Sequence, residues 1–167
     1  MIQNEAFIEM LEQYKKLIYK IAASYCSDRE DRKDLIQEIV LQLWRSFSKY
    51  DKKYKMSTWI YRIALNVSIS FLRTESRRKK WRNQVSEPLI DIVDEVNQES
   101  ELAVKLQTLN QFISELRPLD KALMVLYLES KSHEEMAEIL GITKSNVATK
   151  IGRIKQHLKK QFEQINQ

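Results

Sequence analysis

Lys144, Ser145, Asn146, Thr149, Lys150, Arg153 and Lys155 crowd one short stretch near the C-terminus. Together they offer cations and neutral hydrogen-bond donors, the two kinds of group needed to meet phosphates and the edges of bases. Their spacing suits that chemistry only if something holds them on one side of a rod. Val147, Ile151, Ile154 and Leu158 return at three- and four-residue intervals, so in a helix they share a buried side and leave the polar set outward. From Lys144 to Lys160 there is no Asp or Glu, while Lys159 and Lys160 add to the cations. A face that served only solubility would mix its signs.

The elements that must position this rod lie just upstream. Ser132-His133-Glu134-Glu135 has the form of a capping box, in which the Ser132 hydroxyl and the Glu135 carboxylate each satisfy the other's backbone N–H. Met136, Ala137, Ile139 and Leu140 follow as an apolar face, Gly141 suits a helix stop, and Thr143 is a suitable cap for the next helix. Helix, glycine turn and basic second helix describe a helix-turn-helix DNA reader. Further upstream, helicity resumes near Gln98 with Leu102, Leu106, Leu109, Phe112, Ile113 and Leu116 as its apolar side. Pro118 is placed to open another helix, from which Leu119, Leu123, Val125, Leu126 and Leu128 would pack on the basic pair. This half reads as a four-helix domain.

A second cluster with chemical potential lies earlier. Lys49, Lys52, Lys53 and Lys55 interleave with Tyr50 and Tyr54, and a helix capped by Ser57 follows. Its apolar side is Trp59, Ile60, Ile63, Ala64, Val67 and Phe71, with Tyr61, Arg62, Asn66, Ser70 and Arg73 facing elsewhere. Lysines beside aromatics, Asn and Arg fit a platform for single-stranded nucleic acid. Solvated lysines, tyrosines packed back on the helices and a structural Trp59 fit the same composition. Before this loop, Asp28 or Asp31 can cap a helix with the buried stripe Leu35, Ile36, Ile39, Val40, Leu43, Trp44 and Phe47. Its other side carries Asp34, Gln37, Glu38, Gln42 and Arg45, suited to a protein partner because carboxylates repel phosphates; an ordinary wet face accounts for it equally. The first helix, from about Asn4 to Cys26, has the stripe Phe7, Ile8, Leu11, Tyr14, Leu17, Ile18, Ile21, Ala22 and Tyr25 and needs no role beyond core packing.

Composition bounds these readings. With two glycines and two prolines in 167 residues, the chain is expected to be all-α. After Arg82 the basic character reverses into an acidic stretch containing Pro88, which places a linker at 82–100 between domains at 1–81 and 101–167. The formal charge of +5 favours a polyanion as one partner. Cys26 is alone, a small core hydrophobe with no disulfide or thiolate cluster to join. His133 and His157 show no metal-ligand spacing, and Gly141 and Gly152 are too few for a phosphate loop. No catalysis, metal or cofactor is expected. The start of the chain has no signal-peptide pattern and no run is apolar enough to span a bilayer, so membrane insertion is not expected and the cytoplasm is the expected compartment.

Two stretches now carry a resemblance. Asp34-Leu35-Ile36-Gln37-Glu38-Ile39-Val40-Leu41-Gln42-Leu43-Trp44, followed by Met56-Ser57-Thr58-Trp59-Ile60-Tyr61-Arg62-Ile63-Ala64-Leu65-Asn66, resembles region 2 of bacterial extracytoplasmic-function (ECF) sigma factors of the sigma-70 family. Leu116-Arg117-Pro118-Leu119, His133 to Ile142 and Val147-Ala148-Thr149-Lys150-Ile151 resemble region 4. The resemblance implies a transcription initiation factor that binds core RNA polymerase and guides it to promoters. It implies that Asp34, Gln37, Glu38, Gln42 and Arg45 meet the clamp helices of the largest polymerase subunit. It implies that Lys49, Lys52, Lys53, Lys55, Trp59, Arg62, Asn66 and Arg73 recognise and melt the −10 element, holding the non-template strand. Lys144, Ser145, Asn146, Thr149, Lys150 and Arg153 would read the −35 duplex, and an anti-sigma factor would be a further partner. The alternative from the residues alone is a free-standing helix-turn-helix regulator that binds duplex DNA without polymerase.

Overall fold

The computed structural model describes residues 2–78 and 101–165. They form seven helices, α1 (Ile2–Tyr25), α2 (Arg29–Phe47), α3 (Met56–Arg78), α4 (Glu101–Ser114), α5 (Pro118–Leu128), α6 (His133–Leu140) and α7 (Lys144–Ile165), and no strand among the described residues. The chain divides into two compact units, one holding α1–α3 and the other α4–α7. The acidic linker at 82–100 and the expected helix start at Gln98 lie outside the described residues.

In the first unit the three helices pack pairwise on one another. The turn into α2 is fixed by Asp28, whose Oδ1 accepts from the N–H groups of Glu30 and Asp31, each at 3.0 Å. Of the two acids able to cap this helix, Asp28 takes the position and Asp31 joins Glu30 in the first turn, where negative charge offsets the helix dipole. Leu35, Ile39 and Leu43 are fully enclosed. Arg32 lies on the same stripe and is buried too. Its Nε donates to the Cys26 carbonyl at 3.2 Å, its other nitrogens to the Ser27 carbonyl and the Tyr19 hydroxyl at 3.0 Å, and its guanidinium lies over the Tyr19 ring. The fork thus ties the end of α1 to the start of α2 by satisfying carbonyls that the helix leaves without intrahelical partners.

Several positions depart from the simple stripes. α1 begins at Ile2 rather than Asn4, Ile8 is 59% exposed, and Met10 is buried in its stead. Trp44 is only partly covered, its ring edge-on to Phe7 at 4.9 Å, while Phe7 also meets Phe47 at 5.2 Å. α3 starts at Met56, so Ser57 lies inside the first turn and does not cap it; the Lys55 carbonyl already accepts from Trp59 N–H at 3.1 Å. The buried side of α3 is also turned from its expected direction. Tyr61, expected outward, is 4% exposed, and Ile60, Ala64, Leu65, Ser68 and Ile69 share its burial. The helix packs against both α1 and α2, which requires a wider buried arc than one apolar stripe.

In the second unit α5 is the most enclosed helix, with every residue from Lys121 to Leu126 buried. Pro118 occupies its first turn as expected. Leu102 at the start of α4 and Leu128 at the end of α5 are exposed, contrary to the stripes that included them; side chains at helix ends have no neighbouring turn over them. Cys26 is buried in the first unit, as a core hydrophobe should be.

Candidate nucleic-acid interface

The helix-turn-helix forms through the local chemistry that its sequence carries. Ser132 Oγ accepts from Glu135 N–H at 3.1 Å, and Glu135 Oε2 accepts from Ser132 N–H at 2.8 Å, completing the capping box. Gly141 closes α6 in the left-handed conformation, φ 68°, with its N–H bonded to the Ala137 carbonyl at 2.9 Å. Thr143 then caps α7, its Oγ1 accepting from Asn146 N–H at 3.1 Å. Val147, Ile151, Ile154 and Leu158 are the buried residues of α7, and α7 packs against α4, α5 and α6.

The outward residues of α7 are not all alike. Ser145, Asn146, Thr149 and Arg153 are exposed and Lys150 is half-buried. Lys144 is exposed but donates to the Glu134 carboxylate of α6, and that hydrogen bond holds the Glu134 carboxyl below its ordinary range. Lys155 lies over the Tyr127 ring at 4.5 Å from the centroid. Thr149 turns its hydroxyl back to the Ser145 carbonyl at 3.0 Å. Arg153 and His157 border a cavity of about 320 Å³ that Glu115, Leu116, Arg117 and Asp120 complete. Lys144 and Lys155 are therefore engaged within the fold, while Arg153 borders a recess that also holds the carboxylates of Glu115 and Asp120.

In the first unit the lysine loop is an ordered turn. Tyr54 N–H bonds to the Asp51 carbonyl at 3.1 Å, the Tyr50 hydroxyl donates to the Tyr54 carbonyl at 2.5 Å, and Asp51 Oδ1 accepts from Lys53 N–H at 3.0 Å. Lys49, Lys52, Lys53 and Lys55 all project outward. Tyr50 folds back on Trp59 at 5.2 Å between ring centroids, with Phe47 on Trp59 at 6.3 Å, so Trp59 is half-buried in an aromatic cluster. Tyr54 remains partly exposed, and the Arg62 guanidinium lies over its ring at 5.3 Å. Arg62, Asn66, Ser70 and Arg73 follow one another along one face of α3, the last three exposed. Tyr50 and Trp59 thus pack, while the lysines, Tyr54 and the α3 face stay accessible.

On α2, Asp34, Gln37, Glu38, Gln42 and Arg45 are all exposed. Leu41 and Trp44 break that polar surface with exposed apolar side chains. Leu41 was legible only as an apolar residue at a polar helical position. Among the described residues no three His, Cys, Asp or Glu side chains gather as a metal site, and no helix is long and apolar enough to cross a membrane.

Comparison with known proteins identifies the family. The family model for Sigma-70 region 2 matches residues 10–78, and that for Sigma-70, region 4 matches residues 106–158. The ECF RNA polymerase sigma factor SigW of Bacillus subtilis (strain 168) is 27% identical over 97% of this chain and 91% of its own length. The ECF RNA polymerase sigma-E factor of Haemophilus influenzae is 23% identical over 97% of this chain and 90% of its own. In fold, the chain is similar to the sigma factor RpoE solved in complex with the anti-sigma factor NepR from Bartonella quintana, with a TM-score of 0.71, 17% identity, and coverage of 95% of this chain and 98% of that one. CnrH, solved in complex with the cytosolic domain of CnrY, gives a TM-score of 0.67 at 18% identity, covering 96% of this chain and 89% of that one. With both sigma-70 regions matched in order on the two helical units, the chain belongs to the ECF group of the sigma-70 family and directs RNA polymerase to promoters.

Proposed function

We propose that the two units divide promoter recognition between them, with residues 1–81 binding core polymerase and the −10 element, 82–100 serving as linker, and 101–167 reading the −35 element. The exposed α2 face of Asp34, Gln37, Glu38, Gln42 and Arg45, with Leu41 among them, is the polymerase contact. Its carboxylates disfavour DNA and its apolar side chains favour a protein. Lys49, Lys52, Lys53 and Lys55 follow the backbone of the −10 strand, and Arg62, Asn66 and Arg73 lie along the melted non-template strand, where Tyr54 offers a stacking face. Trp59 supports this surface from within its aromatic cluster. In the second unit Ser145, Asn146, Thr149, Lys150 and Arg153 read the −35 duplex, with Lys144 available to phosphate once it leaves Glu134.

The observation that carries the −35 assignment is the outward side of α7 from Lys144 to Lys160, which holds no acid and is kept in place by the Thr143 cap and four buried aliphatic residues. Replacing Arg153 with Ala in holoenzyme is expected to weaken a selected promoter duplex by roughly 5- to 100-fold and lessen its sequence preference, whereas Lys150→Ala should lower the salt slope by about one. Equal affinity of both variants and wild type for the duplex would refute the assignment. The solved complexes of similar fold support an anti-sigma protein as a further partner, and the cytoplasm, where polymerase and DNA are found, is the compartment this function requires. Phosphodiester synthesis belongs to the polymerase, so no cofactor enters the chain's own chemistry.

A further inference from the structure

The chain contains only two glycines, and the fold explains one of them. Gly141 supplies the left-handed residue that ends α6. Gly152 lies in the interior of α7, is exposed, and a Cβ added there would meet nothing within 4 Å. Neither packing nor a positive φ asks for glycine, yet glycine is among the weakest residues for the interior of a helix. The surface around it is low. Ala148 and Thr149 lie one turn before it, and the Thr149 hydroxyl is folded onto the Ser145 carbonyl. Lys155, one turn after it, is drawn aside over Tyr127.

We infer that Gly152 is the point at which the base edges on the floor of the DNA major groove come closest to the backbone of α7. This rests on α7 being the duplex reader. Arg153, next to Gly152, and Lys150, two residues before it, supply the charged contacts, and the absent side chain sets how deeply the helix enters. Glycine at this position trades helix stability for depth of insertion, so the two properties should separate on substitution.

The test uses the full chain assembled with bacterial core RNA polymerase on a promoter duplex selected from a random pool by the wild-type holoenzyme. Gly152→Ala is expected to raise the Tm of the α4–α7 unit, followed in the full chain, by roughly 4–8 °C while weakening duplex binding about tenfold, and Gly152→Leu to weaken it about a hundredfold. Affinity within twofold of wild type for both variants would overturn the inference, and so would a lowered Tm for Gly152→Ala, which would give the glycine a role inside the fold. Arg153→Ala separates the two levels. If it weakens binding and the Gly152 variants do not, only the close approach fails; if none of the three does, α7 is not the reader.

Discussion

Arg32 offers a stringent test of how the first unit is held. Replacement with Met keeps most of the aliphatic stem but removes the donors to the Cys26 and Ser27 carbonyls and to the Tyr19 hydroxyl. Hydrogen bonds from a charged group contribute about 1.5–3 kcal/mol each when buried and less near the surface. One of these three is buried and two are partly so. Taking about 2 kcal/mol for the first and about 1 for each of the others, and subtracting about 1 for the guanidinium that no longer needs desolvation, gives a loss of about 3 kcal/mol. In a unit of this size that is a fall in Tm of roughly 12–24 °C. Arg32→Lys keeps the charge but cannot fork to several acceptors, so it should lose about half as much. Trp44 and Trp59 lie in the first unit, so in a Trp81→Phe background tryptophan fluorescence during heating reads that unit. If Arg32→Met melts within about 3 °C of wild type, the fork is not what joins α1 to α2 and the reasoning fails.

Two further outcomes follow from the same structure. Ser130 sits at φ 57° after α5, with Lys131 N–H reaching back to the Leu126 carbonyl at 3.0 Å, a geometry that favours glycine; Ser130→Gly should stabilise the second unit by about 0.5–1 kcal/mol, and a lower Tm by circular dichroism would contradict this. Burial pushes the Tyr25 phenol above its ordinary value of 10.0, so the folded state keeps a proton that the unfolded chain releases above about pH 10. Stability from this group is therefore full below pH 10 and lost as pH rises past it, and Tyr25→Phe should flatten the alkaline decline seen in pH-dependent melting; identical declines for the two proteins would show that Tyr25 plays no part.

Much of the architecture could be read directly because it rests on local chemistry. The Ser132 capping box, Gly141, Thr143 and Pro118 each act within one helical turn, and the structure places all four as their residue types require. What escaped depends on neighbours distant in sequence. The buried arc of α3 is turned toward Tyr61 and Leu65 because two helices press on it, and nothing in its own periodicity says so. Lys144 meets Glu134 across the α6–α7 turn, a pairing of no helical period. Arg32 could have been noticed: it precedes Leu35, Ile39 and Leu43 on one stripe, and an arginine in line with fully buried aliphatic residues asks for acceptors at hand. On the proposed recognition surfaces, residue type showed which side chains could serve, but which of them the fold already occupies, as it does Trp59 and Lys155, depended on packing.

The most direct test of the central claim is co-elution of the purified chain with bacterial core RNA polymerase at physiological salt, wild type against Glu38→Lys, with Gln42→Ala as a milder change. The account expects stoichiometric binding by wild type, a marked loss with Glu38→Lys while its fold by circular dichroism is unchanged, and a smaller loss with Gln42→Ala. Absence of wild-type binding where another sigma factor binds, or binding by Glu38→Lys as tight as that of wild type, would contradict it.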